Sequence, residues 1–136
     1  MTVPQPVPGI SVGRMPGDHS GVGGTVLVVD DQDVVRDVIK LSLESAGYRV
    51  LEAATPTEAL ALAREAGTEV DLLVTDVVLP EMDAFELANR ITCELPAVRV
   101  LYTSGYTDAA AEGPFIQKPF TPAQLIEKVG AVLATP

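Results

Sequence analysis

The chain has a single cysteine, Cys93, no tryptophan, and only three phenylalanines and three tyrosines. One thiol cannot close an internal disulfide, so a reducing compartment, the cytoplasm, is expected. Cys93 itself reads as a small apolar filler on a helix. Positive charge is also scarce: 9 Lys and Arg stand against 19 Asp and Glu, a formal net charge of −10. Binding to nucleic acid rests on cations meeting phosphates, so no nucleic-acid partner is expected. Long apolar runs are missing too. No stretch approaches the roughly 20 residues needed to span a bilayer. The N-terminus lacks the charged and continuously apolar regions of a secretory signal. No membrane partner is expected.

What is present suits one compact domain. The chain has 136 residues, 47% of them hydrophobic, enough for one real core and too few for two. Residues 1–24 hold Pro4, Pro6, Pro8 and Pro16, with six glycines from Gly9 to Gly24. Such a segment cannot bury a face or sustain a helix and reads as a flexible tail. The domain proper is expected over residues 25–136.

Strand and helix patterns then alternate. Thr25–Val29 is a buried strand ending in Asp30-Asp31. A helix follows over about Asp33–Ala46, with Val35, Val38, Ile39, Ser42, Leu43 and Ala46 along one face and Gly47 as its stop. Tyr48–Glu52 is a second strand, and Thr55-Pro56-Thr57-Glu58 opens an Ala- and Leu-rich helix that ends near Gly67. The third strand, from Asp71, is a β-branched and apolar run that carries the lone carboxylate Asp76 and stops at Pro80. Asp83 caps a helix to about Glu94. Val98–Thr103 is a fourth strand and Phe115–Gln117 a short fifth; Thr121-Pro122-Ala123-Gln124 caps the last helix. Alternation of this kind specifies an α/β fold with a parallel sheet and right-handed crossovers.

In open α/β sheets, ligands sit at the carboxyl ends of the strands. There the first strand brings Asp30 and Asp31, the third Asp76 and the fourth Ser104; the turn after the fifth brings Lys118, the single basic residue expected at this edge. Three converging carboxylates repel one another and raise the pKa of at least one of them. A hard divalent cation relieves this, and Mg²⁺ suits a site that keeps several waters. A carboxylate beside such an ion can receive a phosphoryl group, with the ion and a lysine spreading the charge on its oxygens.

Four stretches, VLVVDDQD, VTDVVLPEMDAFEL, LYTSGY and FIQKPFTPAQL, occur in order at these strand ends. With them the chain resembles the receiver domain of two-component response regulators from Thr25 to about Ala134. The resemblance implies a (βα)5 doubly wound, flavodoxin-like five-stranded sheet. It implies that Asp76 is the phosphoacceptor. Asp31 and Asp76 would bind Mg²⁺ directly, Asp30 through water and Val78 through its carbonyl. Ser104 would be the switch hydroxyl, Lys118 the ammonium that pairs with the phosphoryl group, and Phe115 the aromatic that swings inward. Lys118–Pro119 would be cis. The implied donor is a histidine kinase or histidine phosphotransfer protein, and the output a conformational switch toward a protein target or a phosphate sink. Val34 and Leu41, off the main stripe of the first helix, lie where that family docks the donor's histidine helix.

Two departures from the family stand out. Tyr106–Pro114 is short for a crossover, so the helix between strands 4 and 5 is expected to be truncated or missing. That helix belongs to the family's dimerisation face, so a monomer is expected. Ala84 stands where glycine is common, which implies strain if the turn there needs positive φ. Two rivals remain. A Mg²⁺-dependent aspartyl-phosphate phosphohydrolase would need a second acid where Val78 stands. A receiver-like interaction module that is never phosphorylated would not need the set Asp30, Asp31, Asp76, Ser104 and Lys118. The expected role is signalling, with self-catalysed phosphorylation and dephosphorylation and no other enzymatic turnover.

Overall fold

The computed structural model describes residues 24–105 and 114–134. The expected tail, but for Gly24, and the expected helix truncation at 106–113 lie outside the described residues. Within them the elements run β1 (Thr25–Val29), α1 (Asp33–Ser45), β2 (Arg49–Ala53), α2 (Pro56–Ala66), β3 (Val70–Asp76), α3 (Ala84–Glu94), β4 (Arg99–Ser104), β5 (Phe115–Gln117) and α4 (Pro122–Ala134), with a single 3-10 turn at Gly67–Glu69. The five strands form one sheet in the order β2-β1-β3-β4-β5. Every pairing is parallel. This is the doubly wound α/β architecture expected from the alternation.

The helix starts follow from local chemistry. Thr55 Oγ1 accepts from the Glu58 amide at 3.2 Å, while Glu58 reaches back to the amide of Ala54 at 2.7 Å. Thr121 and Gln124 cap α4 reciprocally, at 3.0 and 2.9 Å. Asp83 Oδ1 accepts from the Phe85 amide at 2.7 Å and starts α3. Each cap satisfies a donor that the first helical turn leaves unpaired.

Side chains alternate across the sheet and divide the core in two. Val26 and Val28 of β1, Leu72 and Val74 of β3 and Leu101 of β4 pack with Ile39, Leu43, Leu125 and Val129 from α1 and α4. Leu27, Val29, Leu73 and Tyr102 point the other way, toward Ala59, Leu87 and Ile91 of α2 and α3. Leu27, Leu72, Leu73 and Leu101 are all 0% exposed. Each contributes about 2 kcal/mol by leaving water, which makes the three inner strands, β1, β3 and β4, the most strongly held part of the fold.

Several sequence expectations change. Val38, placed on the buried stripe of α1, is 45% exposed and shares an outer face with Val34 at 75% and Leu41 at 64%. Spacings of four and three residues align these three along the helix. Cys93 is exposed on α3, so it fills no core gap. Asp71, expected at the start of the third strand, also has a tertiary role: its Oδ2 accepts the Thr25 amide at 2.8 Å and ties the start of β1 to β3. Ala84 is the fully buried first residue of α3 and carries no positive φ; that conformation falls on Glu81, at φ 70°. The Ala84 substitution therefore introduces no backbone strain.

Candidate functional site

Strand register builds the site. Val29 stands opposite Thr75, Asp76 opposite Thr103, and Ser104 opposite Gln117. Asp30, which follows Val29, is thus level with Asp76 and Thr103; Ser104 lies one residue further along β4, and Lys118 one residue beyond Gln117 at the same edge. Each loop continues its strand's ladder by one bond. The Asp30 amide donates to Ala53 O at 3.2 Å, Val77 to Thr103 O at 2.9 Å, and Lys118 to Ser104 O at 2.7 Å. The side chains are therefore placed by rigid backbone.

Asp30, Asp31 and Asp76 each offer an oxygen into one cluster whose three atoms lie within 4.8 Å of one another. Asp30 is 0% exposed and Asp76 8%, while Asp31 faces solvent. Lys118 Nζ bridges the buried pair, 3.1 Å from Asp30 Oδ2 and 3.3 Å from Asp76 Oδ2. One ammonium against three carboxylates leaves the pocket negative. The Asp76 carboxyl is held above its ordinary range. Burial is the main cause, Lys118 opposes it, and the charge of Asp30 adds to it. This donor set of convergent hard oxygens with surplus negative charge fits a divalent cation that prefers oxygen ligands.

Ser104 ends β4 and is 1% exposed. Val78 is 56% exposed, and its amide approaches Asp76 Oδ1 at 3.4 Å. Phe115 begins β5 half-buried, packed against the core on the α2 and α3 side. The Lys118–Pro119 peptide is cis, as the resemblance implies.

Sequence reasoning missed Arg36. Its Nη1 donates to the Asp30 carbonyl at 2.8 Å, Nε to Glu52 at 3.3 Å and Nη2 to Asp33 at 2.7 Å. Lys118 is therefore not alone as a cation at this edge; Arg36 braces the acidic loop from behind, onto the end of β2. The i,i+3 pairing of Asp33 with Arg36 was visible, but an acid and a base one turn apart ordinarily mark a solvated helix face.

Residues 26–130 match the sequence model described as the response regulator receiver domain. The sensor kinase CckA of Brucella abortus is 40% identical over 124 residues, which cover 85% of this chain but 13% of that protein. The chemotaxis protein CheY1 of Helicobacter pylori is 34% identical over 121 residues, 81% of this chain and 97% of that one. Among solved structures, the receiver domain of the hybrid histidine kinase CckA superposes with a TM-score of 0.73 at 37% identity, covering 81% of this chain and 99% of its own.

Proposed function

Because the chain belongs to the response regulator receiver family, whose members accept a phosphoryl group in two-component signalling, we propose that Asp76 is the residue that accepts it. What supports this assignment is the three-carboxylate cluster with Lys118 bridging Asp30 and Asp76. The Asp76 carboxylate attacks the phosphorus of a phosphohistidine. An O–P bond forms and the P–N bond breaks, and the freed imidazole takes a proton. Lys118 Nζ moves its contact from Asp76 Oδ2 to a phosphoryl oxygen and keeps its hold on Asp30. The Ser104 hydroxyl, in the adjacent row, hydrogen-bonds a second phosphoryl oxygen. Phe115 follows the Ser104 movement at the neighbouring strand.

Asp30, Asp31, Asp76 and the carbonyl of Val78 would hold Mg²⁺. Bound there, the ion neutralises charge on the transferring group. Arg36 keeps the Asp30 backbone in place throughout, through its bond to the carbonyl.

The donor is a histidine kinase or a histidine phosphotransfer protein. Val34, Val38 and Leu41 give α1 an apolar outer stripe, suited to an apolar helix carrying the donor histidine. The downstream partner is a protein that reads the Ser104 and Phe115 shift. The chain acts in the cytoplasm as a monomer, without nucleic acid and without further enzymatic turnover. Among the described residues no helix is long and apolar enough to cross a membrane.

The test is incubation with acetyl phosphate and Mg²⁺, followed by intact mass spectrometry. Wild type should gain the mass of one phosphoryl group and Asp76→Asn none. Unchanged labelling of Asp76→Asn would overturn the assignment.

A further inference from the structure

The loop from Val77 to Met82 runs directly from Asp76 to α3, and it is pinned in its middle by a residue with no role in the chemistry above. Glu81 adopts φ 70°, a left-handed conformation that long side chains rarely take. In that conformation its Oε1 accepts both the amide of Thr57, at 3.0 Å, and the Thr57 hydroxyl, at 2.7 Å. Thr57 is the second residue of α2, behind Pro56.

The free donors at the start of α2 explain why this contact forms. Pro56 has no amide hydrogen. The Glu58 amide is taken by Thr55 Oγ1 and the Ala59 amide by the Thr55 carbonyl. The Thr57 amide is the donor that α2's own cap leaves over, and Glu81 supplies its acceptor from 24 residues away. A carboxylate at a helix N-terminus also meets the favourable end of the helix dipole. These gains offset the strained backbone, so the loop is held by the α2 terminus and not by its own conformational preference.

The loop's other polar attachments lie within the loop or at its start. The Val78 amide reaches Asp76 Oδ1 at only 3.4 Å, and the Met82 amide bonds locally to the Pro80 carbonyl at 2.7 Å. Val77, Leu79 and Met82 pack on the core under α2 and α3, and Thr57 supplies the loop's hydrogen bonds to α2.

We propose that Glu81 is a positioning residue for the cation pocket, latching the loop that carries Val78 to the N-terminus of α2. The proposal rests on the reading that the aspartate cluster takes Mg²⁺. The side chain touches neither the ion nor the phosphoryl group; it acts through the backbone of Val78.

The test is Mg²⁺ titration by calorimetry, with thermal melts in chelator alongside. Glycine relieves the left-handed strain, so Glu81→Gly should melt close to wild type while binding Mg²⁺ about tenfold more weakly, the lower end for residues that orient metal ligands. Thr57→Ala removes the hydroxyl bond but keeps the amide bond, so it should weaken binding less than Glu81→Gly, and the double variant should bind no more weakly than Glu81→Gly, because both act on one latch. Glu81→Gln keeps an acceptor and should fall between. Amide hydrogen exchange at residues 77–79 should rise in Glu81→Gly without added metal. Wild-type binding with unchanged Glu81→Gly affinity, or fully additive losses in the double variant, would overturn the latch alone. Failure of wild type to bind Mg²⁺ would overturn the reading of the cluster, and the latch proposal with it.

Discussion

Replacing Asp76 with asparagine should stabilise the metal-free protein. The oxygens that converge from Asp30, Asp31 and Asp76 lie within 4.8 Å. At an effective dielectric of about 20, two unit charges at that separation repel by about 3.5 kcal/mol. Lys118, 3.3 Å from Asp76, returns about 5 kcal/mol at the same dielectric. Two repulsions exceed one attraction by about 2 kcal/mol. Asp31 faces solvent and contributes less than its full share; the burial of Asp76 adds a cost of the same sign. For a domain of this size about 2 kcal/mol corresponds to roughly 8 °C in melting temperature.

The assay is a circular dichroism melt of wild type and Asp76→Asn in chelator near neutral pH, repeated with excess Mg²⁺. The variant should melt higher in chelator. Mg²⁺ should close the gap, because the proposed site would offer the ion three carboxylates in wild type and two in the variant. The pH profile has a defined sign. The folded Asp76 carboxyl titrates above its unfolded value, chiefly through burial. Between the two values the native state holds more proton than the unfolded chain, so metal-free stability falls as pH rises through that window and levels off above it. Asp76→Asn should lack this fall. A variant that melts at or below wild type in chelator would refute the electrostatic reasoning.

Lys118→Ala leaves Asp30 and Asp76 without their shared cation and should lower metal-free stability by about 3 kcal/mol, with Mg²⁺ restoring much of it; paired melts would show this. Leu72→Ala, at a fully buried position between α1 and α4, should cost about 3 kcal/mol, read as a lower urea midpoint at unchanged slope. At Gly24 an added Cβ would collide with the Asp71 carboxylate that holds the Thr25 amide. Gly24→Ala should therefore lose about 1 kcal/mol, as should Asp71→Ala, and the double variant little more than either by urea titration.

The placement of Asp30, Asp31, Asp76 and Lys118 was legible because it depends on strand ends, which apolar runs and turn residues mark plainly. Helix starts were legible for the same local reason, since Thr55, Asp83 and Thr121 cap within their own turns. Boundaries of β2 and β4 lie one residue later than periodicity suggests, at Arg49–Ala53 and Arg99–Ser104. Contacts between distant segments were not legible. Arg36 looks like a surface charge until β2 brings Glu52 to it, and Glu81 looks like a turn residue until α2 brings Thr57. The sequence tied positive φ to Ala84 only if its turn required it; the structure puts that conformation three residues earlier, at Glu81, whose partner Thr57 lies 24 residues away. Val38 fits the helical stripe by spacing, yet it is 45% exposed.

The division of the interior by the sheet has a practical side for anyone rewiring this protein. α1, with its outward Val34, Val38 and Leu41, packs only into the half of the core built on Val26, Val28, Leu72 and Val74. If the donor docks on α1 as proposed, partner preference can be evolved from α1 and its supporting layer while the layer under α2 and α3 is left untouched. Libraries drawn separately on the two halves should combine with nearly independent effects on folding. The backbones of β1, β3 and β4, which border both halves, are the places where that independence ends.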